Sequence, residues 1–460
     1  MPPKQKAKFR KSKDSMGQML IPADMLYGAS TQRAVLNFPV SGYRMSRAFL
    51  KALGQLKVSC AKANLKLKCL PTKQVGPIVK AASAVRDGAY DKHFVVDVFQ
   101  TGSGTSTNMN ANEVIANLAN RKFKGKRIHP NDHVNKGQSS NDIIPTTIHI
   151  SSVLEIQQEL IPSLGALAKA LAKKEKQFAK VYKIGRTHLQ DATPMTLGQE
   201  FGGYAEQMRK GIVRLNACLI HLRELPIGGT AIGTGINTHK RFAKEVCRDL
   251  NTALKTQFRE AKNHFEAQAA KDACVEASGV MKTIAVSLMK IANDIRWLGC
   301  GPRAGISEIL VPAVQPGSSI MPGKVNPVIA ESVTQVAAQV IGNDATITIA
   351  GQSGNFELNV MMPLIAHNLL EQIRLLANVS GVFRTQCIDG LQADKKKCES
   401  QIETSLMLST PLVPVLGYDK AAALAKEAFK AGLTIREVVL KHQLLSEKDL
   451  RRILAVNNLV

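Results

Sequence analysis

Apolar residues recur along most of this chain at helical spacing, and the polar residues between them gather into a few dense clusters. Helical periodicity begins at about Ala48–Leu67 and Val75–Asp87. A small, polar stretch at Thr101–Asn110 then leads into Ala111–Arg121, which has helical composition. Three long segments dominate the middle: Pro145 to Val181 with a bend expected at Pro162, Thr196 to Leu225, and Arg241 to Leu298 broken once. Further helices are predicted at Pro327–Ile341 and Asn355–Val379. Helices this long cannot hide their apolar faces alone, so the pattern predicts a bundle, with much of its surface buried between subunits. Near Gly390 the character changes, and Asp394–Leu408, Asp419–Lys430, Thr434–His442 and Ser446–Leu454 read as short helices separated by turns.

The domain plan that follows is a basic flexible tail (residues 1–13), an N-terminal domain (14–138), a central helical bundle (139–390) and a small helical C-terminal domain (391–460). A chain of 460 residues can bury a large core in two or three domains. Aromatic residues make up only 5% while Ala and Leu recur throughout, which favours packed helices over sheet. No apolar run is long enough to cross a bilayer. The Lys-rich N-terminus lacks the apolar segment of a secretory signal and the Ser-rich amphipathic pattern of a transit peptide. Eight cysteines stand singly, with no Cys-x-x-Cys pair, which argues against structural zinc and iron–sulfur clusters and for reduced thiols in a cytoplasmic protein.

Charge adds one feature. The formal net charge is +25, and the tail holds six positive residues (Lys4, Lys6, Lys8, Arg10, Lys11, Lys13), so the body is basic as well. A positive field speeds encounter with a dianionic substrate and attracts nucleic acid non-specifically. No aromatic interleaving or nucleic-acid motif accompanies the charge, so a solvated surface ranks first and a polyanion-binding role for the tail second.

Four polar clusters carry candidate chemistry. Gly317-Ser318-Ser319-Ile320-Met321-Pro322-Gly323-Lys324-Val325-Asn326-Pro327 packs two hydroxyls, a lysine and an amide between residues that bend sharply. Such a loop can close over a small anion, with Lys324 supplying charge and Asn326 directional hydrogen bonds that stabilise charge developing on a carboxylate. Thr101-Gly102-Ser103-Gly104-Thr105-Ser106-Thr107-Asn108 offers hydroxyls and amides to a carboxylate at a helix N-terminus, or simply caps that helix. In His129-Pro130-Asn131-Asp132-His133, followed by Ser139-Ser140-Asn141-Asp142, the two histidines suggest a metal pair, but Pro130 disrupts helical spacing and no third ligand is evident. Ser139, Ser140 and Asn141 read as a second carboxylate-binding group or as the cap of the first long helix. In Gly185-Arg186-Thr187-His188-Leu189-Gln190, His188 is the natural proton-transfer group near neutral pH, and Glu331 can orient and charge it.

The Gly317–Pro327 wording resembles the signature of the fumarase/aspartase superfamily, lyases that form or hydrate a double bond beside a carboxylate. The likeness runs from Asp14-Ser15-Met16-Gly17 to about Ile453 and is closest to the class II fumarases. Gln100-Thr101-Gly102-Ser103-Gly104-Thr105, Ser139-Ser140-Asn141-Asp142, Gly228–Gly235 and Ser353–Asn359 all match that form. Gly185-Arg186-Thr187-His188 discriminates best, because aspartate ammonia-lyases usually carry Gln at the histidine. Gly137, where fumarases usually have serine, is a small departure.

The resemblance implies a mainly α, three-domain fold whose central long-helix bundle forms a tetramer core, with each active site built from three chains. It implies metal-free, cofactor-free, reversible anti addition of water to fumarate, giving L-malate. Ser318 would be the base, His188 paired with Glu331 the acid, and Lys324 and Asn326 the stabilisers of the carbanion. Ser103, Thr105, Ser139, Ser140, Asn141 and Thr187 would hold the two carboxylates, and His129, Asn131 and Asp132 would contribute to a second dicarboxylate site. The alternative enzyme reading is an aspartate ammonia-lyase; His188 and Thr101 speak against it.

Overall fold

A computed structural model describes residues 8–121, 123, 125 and 127–460 and is mainly helical. The first element is not a flexible tail. Strand β1 (Phe9–Asp14) pairs antiparallel with β2 (Gly17–Pro22), from Phe9 opposite Pro22 to Asp14 opposite Gly17. Gly17 takes a φ of +117° at the turn, a conformation that favours glycine. Arg33 Nε holds Asp14 at 2.8 Å, and Arg10 Nη2 donates to the Met25 carbonyl at 3.0 Å. The strand's basic residues are therefore partly committed, which corrects the tail's boundary; Lys4 and Lys6 lie outside the described residues.

The helices follow in order: α1 (Ala29–Asn37), α2 (Arg47–Lys66), α3 (Thr72–Arg86), α4 (Thr105–Asn120), α5 (Ser140–Glu155) and α6 (Ile161–Gln177). Between α5 and α6 the turn Ile156–Leu160 widens to a π-helix just before Pro162. Pro162 has no amide hydrogen to give residue 158, so the irregularity precedes the proline. A hairpin of β3 (Tyr182–Thr187) and β4 (Gln190–Thr196) comes next, where the sequence pattern shows only a polar cluster. Then come α7 (Leu197–Leu222), α8 (Phe242–Leu254), α9 (His264–Ala269), α10 (Asp272–Leu298), α11 (Val328–Gln352) and α12 (Met362–Phe383). The predicted break in Arg241–Leu298 falls between α8 and α10, with the short α9 inside it. Helix α11 runs past the predicted end at Ile341, and α12 starts later than Asn355 because residues 354–359 make a small hairpin. The C-terminal helices are α13 (Lys395–Thr404), α14 (Val413–Leu416), α15 (Tyr418–Ala431), α16 (Ile435–Lys441) and α17 (Glu447–Ile453). Of these, α15, α16 and α17 lie close to their predicted bounds, α13 ends before the predicted Leu408, and the short α14 falls outside the predicted helices.

Two compact units emerge, each assembled from three separated segments rather than divided at 138 and 390. The first takes residues up to Ile161, Val213–Thr283 and Ala338–Ala377. Its core surrounds α2, whose Phe49, Leu53 and Leu56 recur at helical spacing and are fully buried. Helices α3, α5 and α8 pack against α2 and contribute Ile78, Val85, Ile143, Ile148, Val246 and Leu250. Gly54 permits the closest approach of α2 and α3: a Cβ there would meet the Arg86 amide nitrogen at 2.5 Å. Polar ties bind the long helices within this unit. Ser278 Oγ donates to Asp344 Oδ1 at 2.7 Å, and Gln372 Nε2 donates to Ser278 Oγ at 3.1 Å and to the Val340 carbonyl at 3.0 Å.

The second unit takes Pro162–Ile212, Ile284–Ala337 and Asn378–Val460. Its C-terminal helices bury Leu412, Ile435, Val438, Val439 and Leu450 in one cluster with Ile184 of β3. The hairpin is thereby seated on α13 and the apolar floor beneath it. Among the described residues no helix is long and apolar enough to cross a membrane.

Candidate active site

Three polar segments converge in the first unit. The Gln100–Asn108 segment turns into α4 through Gly102 and Gly104. A Cβ on Gly102 would lie 1.7 Å from the Val360 carbonyl oxygen, and Gly104 holds a φ of +71°. Gln100 braces the turn by accepting from the Thr107 amide at 3.0 Å and donating to the Asp97 carbonyl at 2.7 Å. Helix α4 thus starts at Thr105 and presents its first-turn amides beside Ser103 and Thr105, whose hydroxyls lie 2.9 Å apart. Ser139 caps α5: its Oγ accepts from the Asn141 amide at 3.2 Å, and its own amide donates to Asp142 Oδ1 at 2.8 Å.

The Gln100–Asn108 and Ser139–Asp142 segments meet through a side-chain amide. Asn108 Nδ2 donates to Ser140 Oγ at 3.0 Å. The Gly228–Gly235 loop joins them, since Asp142 Oδ2 accepts from the amides of Gly228 at 3.0 Å and Thr230 at 3.1 Å. Asn141 Nδ2 donates to the Ala231 carbonyl at 2.7 Å. Burial pushes the Asp142 carboxyl up to about 6, against the pull of those amides and of Lys57.

The nearby His129 cluster is exposed. His129 Nδ1 accepts from the Asn131 amide at 3.3 Å and the Asp132 amide at 3.2 Å, capping a π-turn over Pro130–Val134. His133 Nδ1 accepts from the His129 amide at 2.7 Å. Both imidazoles therefore serve the backbone, and no group of three or more His, Cys, Asp or Glu could hold a metal among the described residues.

The second unit carries the other candidates. Thr187 pairs with Gln190, leaving His188 and Leu189 as the two-residue tip of the hairpin, with φ of +56° and +61°. Two successive positive φ values suit the twist of a tight hairpin and hold His188 at the exposed tip. The strand behind it is anchored by charge. Lys183 Nζ and Arg186 Nη2 contact the fully buried Glu308 at 2.9 and 2.8 Å, and Lys183 also reaches Glu200 at 3.0 Å.

The Gly317–Pro327 loop closes on itself. The Gly317 amide donates to the Lys324 carbonyl at 2.8 Å, and Asn326 Nδ2 donates to the Gly317 carbonyl at 2.5 Å. A Cβ at Gly317 would meet the Lys324 carbonyl oxygen at 2.4 Å, so only glycine allows the clasp. Ser318 Oγ accepts from the amides of Met321 at 2.9 Å and Ile320 at 3.2 Å. Two N–H groups aimed at one hydroxyl oxygen stabilise negative charge on it. Glu331 stands in the first turn of α11, where the helix dipole favours an acid. Lys324, Asn326 and Glu331 line a cavity of 620 Å³ together with Arg296, Trp297 and Pro302. Ser318 is not in its lining, and within the chain no hydrogen bond or ion pair joins His188 to Glu331 among the described residues.

Some contributors escape the sequence pattern. Lys57 is fully buried and donates to Asn135 Oδ1 at 3.0 Å and Gln138 Oε1 at 2.9 Å. Its only signal is a lysine four residues after Leu53 and three before Cys60, inside an apolar stripe. Glu308, the acid behind the hairpin, has no local signal at all.

Known proteins share this plan. The sequence pattern of the family described as "Lyase" matches residues 17–342, and that described as "Fumarase C C-terminus" matches residues 408–460. A protein of Corynebacterium glutamicum named fumarate hydratase class II is 52% identical over 433 residues, covering 94% of this chain and 91% of its own. A protein of the same name from Mycobacterium tuberculosis is 52% identical over 444 residues, covering 96% and 93%. Among solved structures, the recombinant class II fumarase of Schistosoma mansoni superposes with a TM-score of 0.95 at 40% identity, covering 97% of this chain and 98% of its own.

Proposed function

The chain belongs to the lyase family that includes the class II fumarate hydratases, and on that premise we propose that it catalyses the reversible anti addition of water to fumarate, giving L-malate. The observation that carries the chemistry is the Ser318 hydroxyl, which accepts two backbone amides within a loop that also holds Lys324 and Asn326.

In the dehydrating direction Ser318 removes the C3 proton of malate. A serine is a poor base at its ordinary pKa, and the two amides together with the Lys324 cation favour its ionised form. The electron pair left on C3 is drawn into the adjacent carboxylate, where Lys324 and Asn326 oppose the developing charge. His188, charged by Glu331, then gives a proton to the departing C2 hydroxyl through a water, and the double bond forms. Hydration runs these steps backwards. Ser103, Thr105, Ser139, Ser140, Asn141 and Thr187 hold the two carboxylates. His129, Asn131 and Asp132 offer a second, exposed dicarboxylate site.

In this reading the enzyme is a homotetramer with each site shared by three chains, and the His188–Glu331 pair forms between chains. Long helices with exposed apolar residues such as Val213, Ile220 and Val286 support an assembly of this kind. Eight free cysteines accord with a cytoplasmic enzyme of the tricarboxylic acid cycle. Histidine at 188 favours hydration over the aspartate ammonia-lyase reaction. Fumarate turned over in deuterium oxide tests the proposal: malate with one deuterium at C3, in a single diastereomer, is expected, and a mixture of diastereomers would contradict an enzymic anti addition.

A further inference from the structure

Lys57 is a buried cation that the mechanism above does not use. Its side chain is fully enclosed in α2, and among the described residues no carboxylate lies within ion-pair distance of it. An unpaired ammonium is costly to bury and persists where something requires it. Its partners are two side-chain amide oxygens, Asn135 Oδ1 and Gln138 Oε1, in the turn just before α5. That turn folds round the ammonium: Asn135 Nδ2 donates to the Gln138 carbonyl at 3.1 Å, and Gln138 Nε2 donates to the Val134 carbonyl at 3.1 Å.

The direction of each hydrogen bond follows from the ammonium. Lysine only donates, so Asn135 must turn its oxygen towards it. The same oxygen then accepts from Asn108 Nδ2 at 3.3 Å, which fixes the orientation of the Asn108 amide. That nitrogen also donates to Ser140 Oγ at 3.0 Å. Ser140 is therefore an acceptor towards the protein, and its own proton is left for another acceptor. Asn108 Oδ1 is buried and accepts no hydrogen bond from the described residues.

We propose that Lys57 is a positioning residue for the reaction: its ammonium sets the Asn135–Asn108–Ser140 hydrogen-bond chain in the one direction that leaves the Ser140 hydroxyl donating to a substrate carboxylate. The inference rests on the carboxylate-binding role given to Ser140 above. Burial lowers the Lys57 ammonium to about 8, with the Cys60 thiol and the Asp142 carboxylate opposing that fall. Above that pH the amine becomes neutral and the direction of the chain is no longer enforced. Fumarate and malate are fully ionised there, so the substrate does not titrate in the same range.

The test is a double-mutant cycle on the full-length, assembled enzyme. K57M alone is expected to raise KM for L-malate by about tenfold, the loss of one charge-assisted hydrogen bond, with kcat changed by less than about threefold. In an S140A background K57M is expected to leave KM unchanged. The KM of the unaltered enzyme is expected to rise above pH 8, and that of K57M to stay flat. Where K57M does not assemble, Asn135→Leu takes its place, with the same expected silence in S140A. An effect of K57M or Asn135→Leu that is fully additive with S140A overturns the inference, as does a flat KM for the unaltered enzyme between pH 7 and 9. If S140A itself leaves KM unchanged, the carboxylate-binding role of Ser140 falls, and the inference falls with it.

Discussion

Arg186 Nη2 lies 2.8 Å from Glu308 Oε1, and the same buried carboxylate holds Lys183 at 2.9 Å. Two cations of β3 thus converge on one acid, directly behind the strand end that carries Thr187 and His188. Glu308→Gln would leave Arg186 half-buried without its counter-charge, while Lys183 keeps Glu200. Removing one partner of a buried pair costs about 3 kcal/mol or more. Thermal unfolding is expected to start at a lower temperature, and kcat to fall as the hairpin tip loses its anchor. An unaltered melting temperature would show that the pair does not hold the hairpin.

Gly102 offers a sharper steric test. A Cβ there would sit 1.7 Å from the Val360 carbonyl oxygen, and the Gly102 carbonyl also accepts from the Met362 amide at 3.0 Å. The loop has nowhere to move without breaking that bond. Gly102→Ala is expected to cost about 3 kcal/mol in urea unfolding and to weaken substrate binding through Ser103 and Thr105. A shift under about 0.5 kcal/mol would contradict the close approach.

His149 makes stability depend on pH. Burial, and then the nearby Lys271, pull its imidazole down to about 4, while Nδ1 lies 2.8 Å from the Glu224 carbonyl. An unfolded imidazole titrates near 6.5. Between those values the unfolded chain holds more protons, so stability falls as pH drops from about 6.5 to 4. The whole window amounts to about 3 kcal/mol. The buried Asp142 carboxyl, raised to about 6, acts in the opposite sense over part of this range. The His149 loss is therefore read as the difference in urea midpoints between the unaltered protein and His149→Gln; an identical slope in the variant would remove His149 as the cause.

The two proposed proton-transfer groups separate by variant. His188→Asn is expected to lower kcat by about 10² or more with the assembly intact. Ser318→Ala is expected to nearly abolish exchange of the malate C3 proton with solvent. Near-normal turnover in the first variant, or substantial exchange in the second, would withdraw the corresponding role.

Periodicity disclosed the helices whose buried faces are apolar, such as α2, α7 and α10. It failed where the buried residues are polar. Helix α4 begins at Thr105, six residues before the apolar pattern starts, because Ser106, Thr107, Asn108 and Asn110 are buried through hydrogen bonds rather than hydrophobicity. Helix α11 outruns its predicted end for the same reason: Asn343 and Asp344 are buried and satisfied by Glu371, Ser278 and Lys282. The β3–β4 hairpin was hidden because its strand alternation is short and its Lys183 and Arg186 are held by charge. The clusters around Ser103, Ser140, His188 and Ser318 were legible as wording. That Asn108 joins the first two, and that Lys57 lies beneath them, required the fold.

Fumarate's ultraviolet absorbance, followed after purified protein is added to L-malate in one cuvette and L-aspartate in another, tests the hydratase assignment most directly. Absorbance that rises with malate and stays flat with aspartate is the predicted result. A rise with aspartate alone, or none in either from folded protein, would contradict it.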